Sequence, residues 1–210
     1  MSISPYQIIV NQRRNGLFSS WKKIVFDLDC TLTNIHFCSN KVDSRTIETT
    51  DLDRLIDVTY FRNFVNFLIS KRVEVAIATY GKKMLALELM NRVFPNNNPF
   101  NRDNIITPID ISMKYSVNWK ECYNPPKDYN KNAMLQLLRG NFEPFEILLI
   151  DDTLDNIVNA KKLGYDGVNV NSCQGFKETL RTLIREIIKR NPELSVNQEN
   201  DTNQILETFA

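Results

Sequence analysis

The chain has 210 residues, of which 42% are hydrophobic, and a formal net charge of +1. That length accommodates one sizeable α/β domain with a tail, or at most two small domains, and the apolar fraction is ample for a packed core. A net charge this small excludes a whole-chain field toward nucleic acid or membrane, and no run approaches the roughly 20 apolar residues of a membrane span.

The four cysteines, Cys30, Cys38, Cys122 and Cys173, form no CxxC pair and show no zinc spacing. They read as reduced thiols. With no secretory h-region at the N-terminus, they point to an intracellular protein.

Residues 1–22 read as an N-terminal arm or edge strand. Ile24 to Phe26 is the first central strand, and Asp27 and Asp29 follow it directly. Residues 32–58 are polar and read as irregular. Phe61, Phe64, Val65 and Leu68 then recur with helical spacing. Val73 to Ala78 is a second buried strand, ending at Thr79-Tyr80-Gly81. Met84, Leu87 and Met90 suggest the stripe of the next helix, which Pro95 and the asparagines at 96–98 stop.

Asn104 to Pro108 reads as a short third strand, and 110–130 as a long loop. Met134, Leu137 and Leu138 mark a helix from about Lys131 to Arg139. Glu146 to Ile150 is a fourth strand running into Asp151-Asp152. Ile157, Ala160 and Leu163 give a helix closed by Gly164. Gly167 to Val170 is a fifth strand, and Leu180, Leu183, Ile184, Ile187 and Ile188 form the last amphipathic helix. Residues 192–210 read as a polar, disordered tail. Strands alternating with helices predict an α/β fold with a mostly parallel sheet.

Three strand ends carry reactive-looking groups: Asp27 with Asp29, Thr79, and Asp151 with Asp152. Open α/β sheets bind ligands at the carboxyl ends of their strands. Read together, these residues describe phosphoryl transfer. An ionised Asp27 can attack phosphorus to form an acyl phosphate. Asp29 can protonate the leaving oxygen and later activate water. Clustered carboxylates suit Mg2+, which holds a phosphate dianion against an acid that would otherwise repel it. Thr79 offers a hydroxyl, Tyr80 a backbone N–H, and Lys131 a charge for the transferring group.

Asp27-Leu28-Asp29-Cys30-Thr31 resembles the DxDxT signature of haloacid dehalogenase-like (HAD) phosphatases. Thr79 resembles their second motif, Lys131 their motif-three lysine, and the Asp151 to Asn156 stretch their DDxxxN fourth motif. The four occur in family order over residues 23–170, within a HAD-like domain expected to span 23–191. The resemblance implies a Rossmann-like three-layer sandwich and an aspartyl-phosphate mechanism. Asp27 is then the nucleophile and Asp29 the acid/base, with Thr31 among the phosphate-binding residues.

The resemblance also implies that Asp27, the Asp29 carbonyl and a fourth-motif acid hold Mg2+. Asp152 aligns with the metal ligand and Asn156 with its helper, while Asp151 is second in line or a further ligand. Lys127 is the alternative to Lys131. The chain departs from the commonest pattern at Cys30, a candidate for oxidation.

About 28 residues separate Leu32 from Phe61, and about 49 separate Gly81 from Lys131. Neither span admits a full cap module, so the site is expected to be open. In this the chain resembles the capless NIF-type carboxy-terminal-domain and magnesium-dependent phosphatases, which implies a phosphoprotein or other macromolecular substrate. The Ala78 to Gly81 and Pro125 to Lys127 stretches are also similar to HAD-type proteins of large insect DNA viruses linked to nucleocapsid assembly.

Three other functions stay open at this stage: a small-molecule phosphatase acting on nucleotides or sugar phosphates, a HAD-fold assembly scaffold, and a phosphate-accepting receiver domain. No membrane or nucleic-acid partner is indicated.

Overall fold

The computed structural model describes residues 21–116, 131–170 and 175–190, the last five by backbone alone. The expected tail at 192–210, nearly all of the N-terminal arm, and Lys127 lie outside the described residues. Five strands form one parallel sheet: β1 (Lys23–Phe26), β2 (Glu74–Ala78), β3 (Ile105–Ile106), β4 (Ile147–Asp151) and β5 (Asp166–Asn169). Their order is β3-β2-β1-β4-β5. This is the doubly wound Rossmann order, and it reverses between β1 and β4. It is not the 2-1-3-4-5 order of receiver domains, which removes that alternative.

The three central strands, β1, β2 and β4, are short, largely apolar runs buried on both faces, as parallel strands between helical layers must be, whereas β5 (Asp-Gly-Val-Asn) buries only its middle two residues. On one face Ile24, Phe26, Val75, Ile77, Leu148 and Ile150 pack with the buried residues of α2 (Val58–Ser70), α3 (Lys83–Val93) and the start of α7 (Gly175–Arg190). On the other, Val25, Ala76, Ala78, Ile147 and Leu149 pack with α4 (Pro108–Tyr115), α5 (Lys131–Arg139) and α6 (Leu154–Lys162). The three layers and the α/β class are as the sequence predicts.

Phe26 shows how the core fixes the site. Its ring is fully buried and meets Phe61, Phe64 and Phe176 edge-on, with centroids 5.4, 6.3 and 5.9 Å away. Burying such a ring stabilises by about 1.5–3 kcal/mol, and each edge-on pair adds about 0.5–1.5 kcal/mol. Phe26 points into one layer, so strand alternation sends Asp27 toward the other, where α5 lies.

Several local expectations are corrected. The 32–58 stretch is not wholly irregular. It holds α1 (Ser44–Thr49), capped by the Asp43 carboxylate, which accepts the Thr46 N–H at 2.7 Å, and a 3-10 turn at Leu52–Arg54. The third strand shrinks to two residues because Thr107 starts α4 instead. Its N–H and hydroxyl both donate to Asp110, and Pro108 takes the first helical turn. The loop expected from 110 therefore begins as helix. In α3 the buried residues are Leu85, Ala86, Leu89, Met90 and Val93; of the expected stripe Met90 is fully buried, Leu87 packs partly buried against the core, and Met84 is 51% exposed. Gly164, at φ +86°, closes α6 as expected.

Candidate active site

The acids lie at the carboxyl ends of β1 and β4, where the strand order reverses. Asp27 is bonded there through its backbone, donating its N–H to the Ile150 carbonyl at 2.8 Å. One carboxylate oxygen each from Asp27, Asp151 and Asp152 comes within 4.8 Å of the others. Asp27 and Asp151 are buried, and Asp152 is half-buried.

Lys131 opens α5 and enters from the layer that Asp27 faces. Its side chain is 1% exposed. The ammonium donates to Asp27 Oδ1 at 2.5 Å and to the Ala78 carbonyl at 2.7 Å, pairs with Asp151 Oδ2 at 3.2 Å, and lies 5.2 Å from the Tyr80 ring centre. Between the two candidate lysines, Lys131 is the one the described residues bring to the acids. Tyr80 thus contributes its ring to the ammonium, in addition to any contact of its backbone.

Asp151 is held on every side. Its carboxylate accepts the Thr153 N–H and the Asn156 amide, the latter on both oxygens at 3.0 and 3.1 Å. Asn156 therefore supports Asp151 and not Asp152 as expected. Asp152, left half-exposed, is the better placed to meet a ligand, as the motif comparison implies.

Thr31 is hydrogen-bonded to Asp152. Its hydroxyl accepts the Asp152 N–H at 2.9 Å and donates to Asp152 Oδ1 at 3.3 Å. Its hydrogen bonds orient the acid across the site, where a phosphate contact was expected.

Asp29 stands apart. Its carboxylate is outside the three-acid cluster and accepts the Phe37 N–H at 2.8 Å. The turn that redirects it runs through Cys30, whose φ of +58° is left-handed backbone, a strained conformation for a non-glycine residue. Burial, then the Asp152, Asp29 and Asp27 charges, push the Cys30 thiol up. The thiolate is thereby disfavoured.

Thr79 is fully buried, and its hydroxyl oxygen accepts the Gly81 N–H at 2.9 Å. A Cβ placed on Gly81 would sit 3.2 Å from that oxygen and 3.7 Å from Asp29 Oδ2. The hydroxyl of the second motif and the carboxylate of the first thus border one small space that glycine keeps open. His36, by contrast, is exposed, and its Nδ1 accepts the Ser39 N–H.

Three clustered carboxylates, all ionised, would leave two negative charges against one ammonium. Burial above all, reinforced by the Asp151 and Asp152 charges and opposed by Lys131, pushes the Asp27 carboxyl up to about 7. Burial and the Asp151 charge raise Asp152 as well. Lys131 is pushed up too: the Asp27 and Asp151 charges outweigh its burial and hold it charged. A charged ammonium 2.5 Å from Asp27 favours the ionised acid, so the balance at Asp27 is close. The donor set of hard oxygens and the residual charge fit a divalent cation such as Mg2+.

No family model matches the chain, and no curated protein matches it. Among solved structures, that of DsGPDH of Dunaliella salina is similar at 14% identity with a TM-score of 0.42, covering 73% of this chain and 24% of that one. The chain therefore spans about a quarter of that structure's length. Among the described residues, no helix is long and apolar enough to cross a membrane.

Proposed function

We propose that the chain is a HAD-type phosphomonoester hydrolase acting through an aspartyl phosphate on Asp27, with Mg2+ as cofactor and a phosphorylated protein as substrate. One observation carries this reading: the two acids of Asp27-Leu28-Asp29 have different surroundings. Asp27 lies in the cluster against Lys131, whereas Asp29 is turned out of it by Phe37 and borders the space beside Thr79. That separation gives one acid to attack and the other to proton transfer.

In the first step an Asp27 carboxylate oxygen attacks phosphorus. The bond to the leaving oxygen breaks, and Asp29 gives that oxygen its proton. In the second, the Asp29 carboxylate takes a proton from water as the water oxygen attacks phosphorus. The bond to Asp27 breaks, restoring its carboxylate and releasing inorganic phosphate.

Lys131 neutralises charge on the nucleophile and the transferring group. The Thr79 hydroxyl, its oxygen already accepting from Gly81, has its own proton to donate to a phosphate oxygen. Asp27 and Asp152, with the Asp29 carbonyl that the resemblance implies, would hold the cation, and Asp151 would support them. The cation supplies the positive charge that lets a phosphate dianion approach an ionised acid.

The phosphoprotein preference rests on accessibility. The connection from β1 to α2 folds into one six-residue helix and a 3-10 turn, and Asp29 and Asp152 stay partly exposed. The test is hydrolysis of p-nitrophenyl phosphate and of a panel of phosphopeptides, nucleotides and sugar phosphates, with Asp27→Asn as control. Mg2+-dependent turnover that favours phosphopeptides and falls at least about a thousandfold in Asp27→Asn is expected. Preference for a nucleotide or sugar phosphate would move the substrate to a small molecule. No turnover on the whole panel would overturn the enzyme reading and leave a scaffold.

A further inference from the structure

Asp151 and Asp152 are consecutive, and in extended chain consecutive side chains leave opposite faces of a sheet. Ile150 packs in the layer of Phe26, so Asp151 turns to the layer of Lys131, where its carboxylate is found. Continued extension would send Asp152 back toward the Phe26 layer. Instead its carboxylate joins those of Asp27 and Asp151 within 4.8 Å. Something must hold the chain out of strand geometry between these two residues.

Asn169, the last residue of β5, is placed to do so. Its side-chain nitrogen donates to the Asp151 carbonyl at 3.1 Å and to the Asp152 carbonyl at 2.8 Å. Successive carbonyls of a strand point in opposite directions, so a single amide nitrogen bonds both only where the chain has turned. The Val170 N–H fixes the Asp151 carbonyl from the same strand end at 2.9 Å. Thr31 holds the N–H and one carboxylate oxygen of Asp152 from the opposite side. Asp152 is thus clamped at its N–H, its carbonyl and its carboxylate, by β5 on one flank and the first acid loop on the other.

We propose that Asn169 is a positioning residue for the cation site: its amide holds the turned Asp151–Asp152 peptide that lets two consecutive acids converge with Asp27. It touches no substrate and acts through Asp152. This rests on the cation site inferred above but not on the identity of the substrate.

The test is direct Mg2+ binding by isothermal titration calorimetry, alongside the Mg2+ dependence of hydrolysis and of the melting temperature. Asn169→Leu keeps the branched shape of the side chain, with somewhat greater bulk, and removes both bonds; Asn169→Ala serves if the leucine variant does not fold. Outer contacts to metal ligands are worth about 10–100-fold in affinity or activity. The Mg2+ dissociation constant and the Mg2+ concentration for half-maximal rate are therefore expected to rise at least tenfold, while kcat at saturating Mg2+ stays within about threefold.

Val168→Ala on the same strand controls for general loosening. It removes buried methyls 1% exposed, lowers the melting temperature, and leaves the Mg2+ affinity unchanged. Asn169 variants that bind Mg2+ like the parent chain, or that weaken binding no more than Val168→Ala does, overturn the assignment. A parent chain that binds no divalent cation overturns it too. A parent that binds Mg2+ tightly and an Asn169 variant that binds it weakly sustain the assignment even if no phosphate ester is hydrolysed; that outcome would remove the phosphatase reading alone.

Discussion

Replacing Lys131 by methionine tests how the acid cluster is held together. Methionine approximates the length and volume of the lysine stem and removes the charge. The ammonium is 1% exposed, lies 2.5 Å from Asp27 Oδ1 and 3.2 Å from Asp151 Oδ2, and also satisfies the Ala78 carbonyl. Removing one partner of a buried ion pair typically costs about 3–5 kcal/mol, because the other charge is left unpaired. In a chain of this size each kcal/mol lowers the melting temperature by about 2–4 °C, so a drop of about 6–20 °C is expected at pH 8 without Mg2+. The loss should shrink toward pH 5, where Asp27, already pushed up to about 7 by burial, takes a proton and no longer needs a counter-charge. Scanning calorimetry in EDTA at both pH values gives the measurement. A melting temperature at pH 8 within about 2 °C of the parent, or an equal drop at pH 5 and pH 8, would refute the role of Lys131 as counterion. Mg2+ should restore part of the lost stability at pH 8, while turnover remains about 100-fold or more below the parent.

Asp29→Asn keeps an acceptor for the Phe37 N–H but cannot exchange a proton, so kcat should fall about 10²–10⁴-fold with Mg2+ affinity retained; a pH–rate profile with an unchanged limb would refute its acid/base role. Gly81→Ala meets no backbone barrier but places a methyl 3.2 Å from Thr79 Oγ1 and 3.7 Å from Asp29 Oδ2, so kcat/KM should fall at least about tenfold with a melting shift under about 2 °C. Asp27 holds a proton more tightly folded than unfolded, so its contribution is fully present below its ordinary value of 3.8 and is lost as pH rises through about 7. The metal-free protein should therefore lose stability from pH 4 toward pH 8. Because a cation displaces that proton, Mg2+ should raise the melting temperature more at pH 8 than at pH 5. An Mg2+ effect independent of pH would count against Asp27 as a ligand.

The large-scale fold was legible because its central strands are largely apolar runs and its longer helices show clear periodicity. Phe61, Phe64, Val65 and Leu68, all fully buried, are the plainest case. What the pattern missed is short. In α1 only Ile47 is buried, and in α4 only Pro108 and Ile111, too few for a period to register. Thr107, Pro108 and Asp110 carried the missing signal: an acid three residues after a threonine, with proline between them, marks a helix start whatever the apolar pattern does.

The site divides along a different line. The acids Asp27, Asp29, Asp151 and Asp152 could be read because charge at the end of an apolar strand has a cost that sequence makes visible, whereas Lys131, at a helix start, was read only with Lys127 as its alternative. Of the residues that orient those charges, Asn156 was read as a helper, though of Asp152 and not of Asp151, while the orienting roles of Thr31 and Asn169 were not legible. Thr31 and Asp152 are 121 positions apart, and Asn169, at the end of β5, is 17 positions from Asp152, just beyond β4. A threonine in a motif and an asparagine at a strand end look the same whether they face a ligand, the solvent or a neighbouring peptide. Yet the orienting residues decide what the charges can do. Strand alternation by itself would part Asp152 from Asp151 and leave a two-acid site whose charge Lys131 goes far to balance. Only with the peptide turned and clamped does the third carboxylate arrive, and with it the residual charge that fits a divalent cation. The fitness of this cluster for a cation therefore depends on neutral hydrogen-bonding residues as much as on its acids.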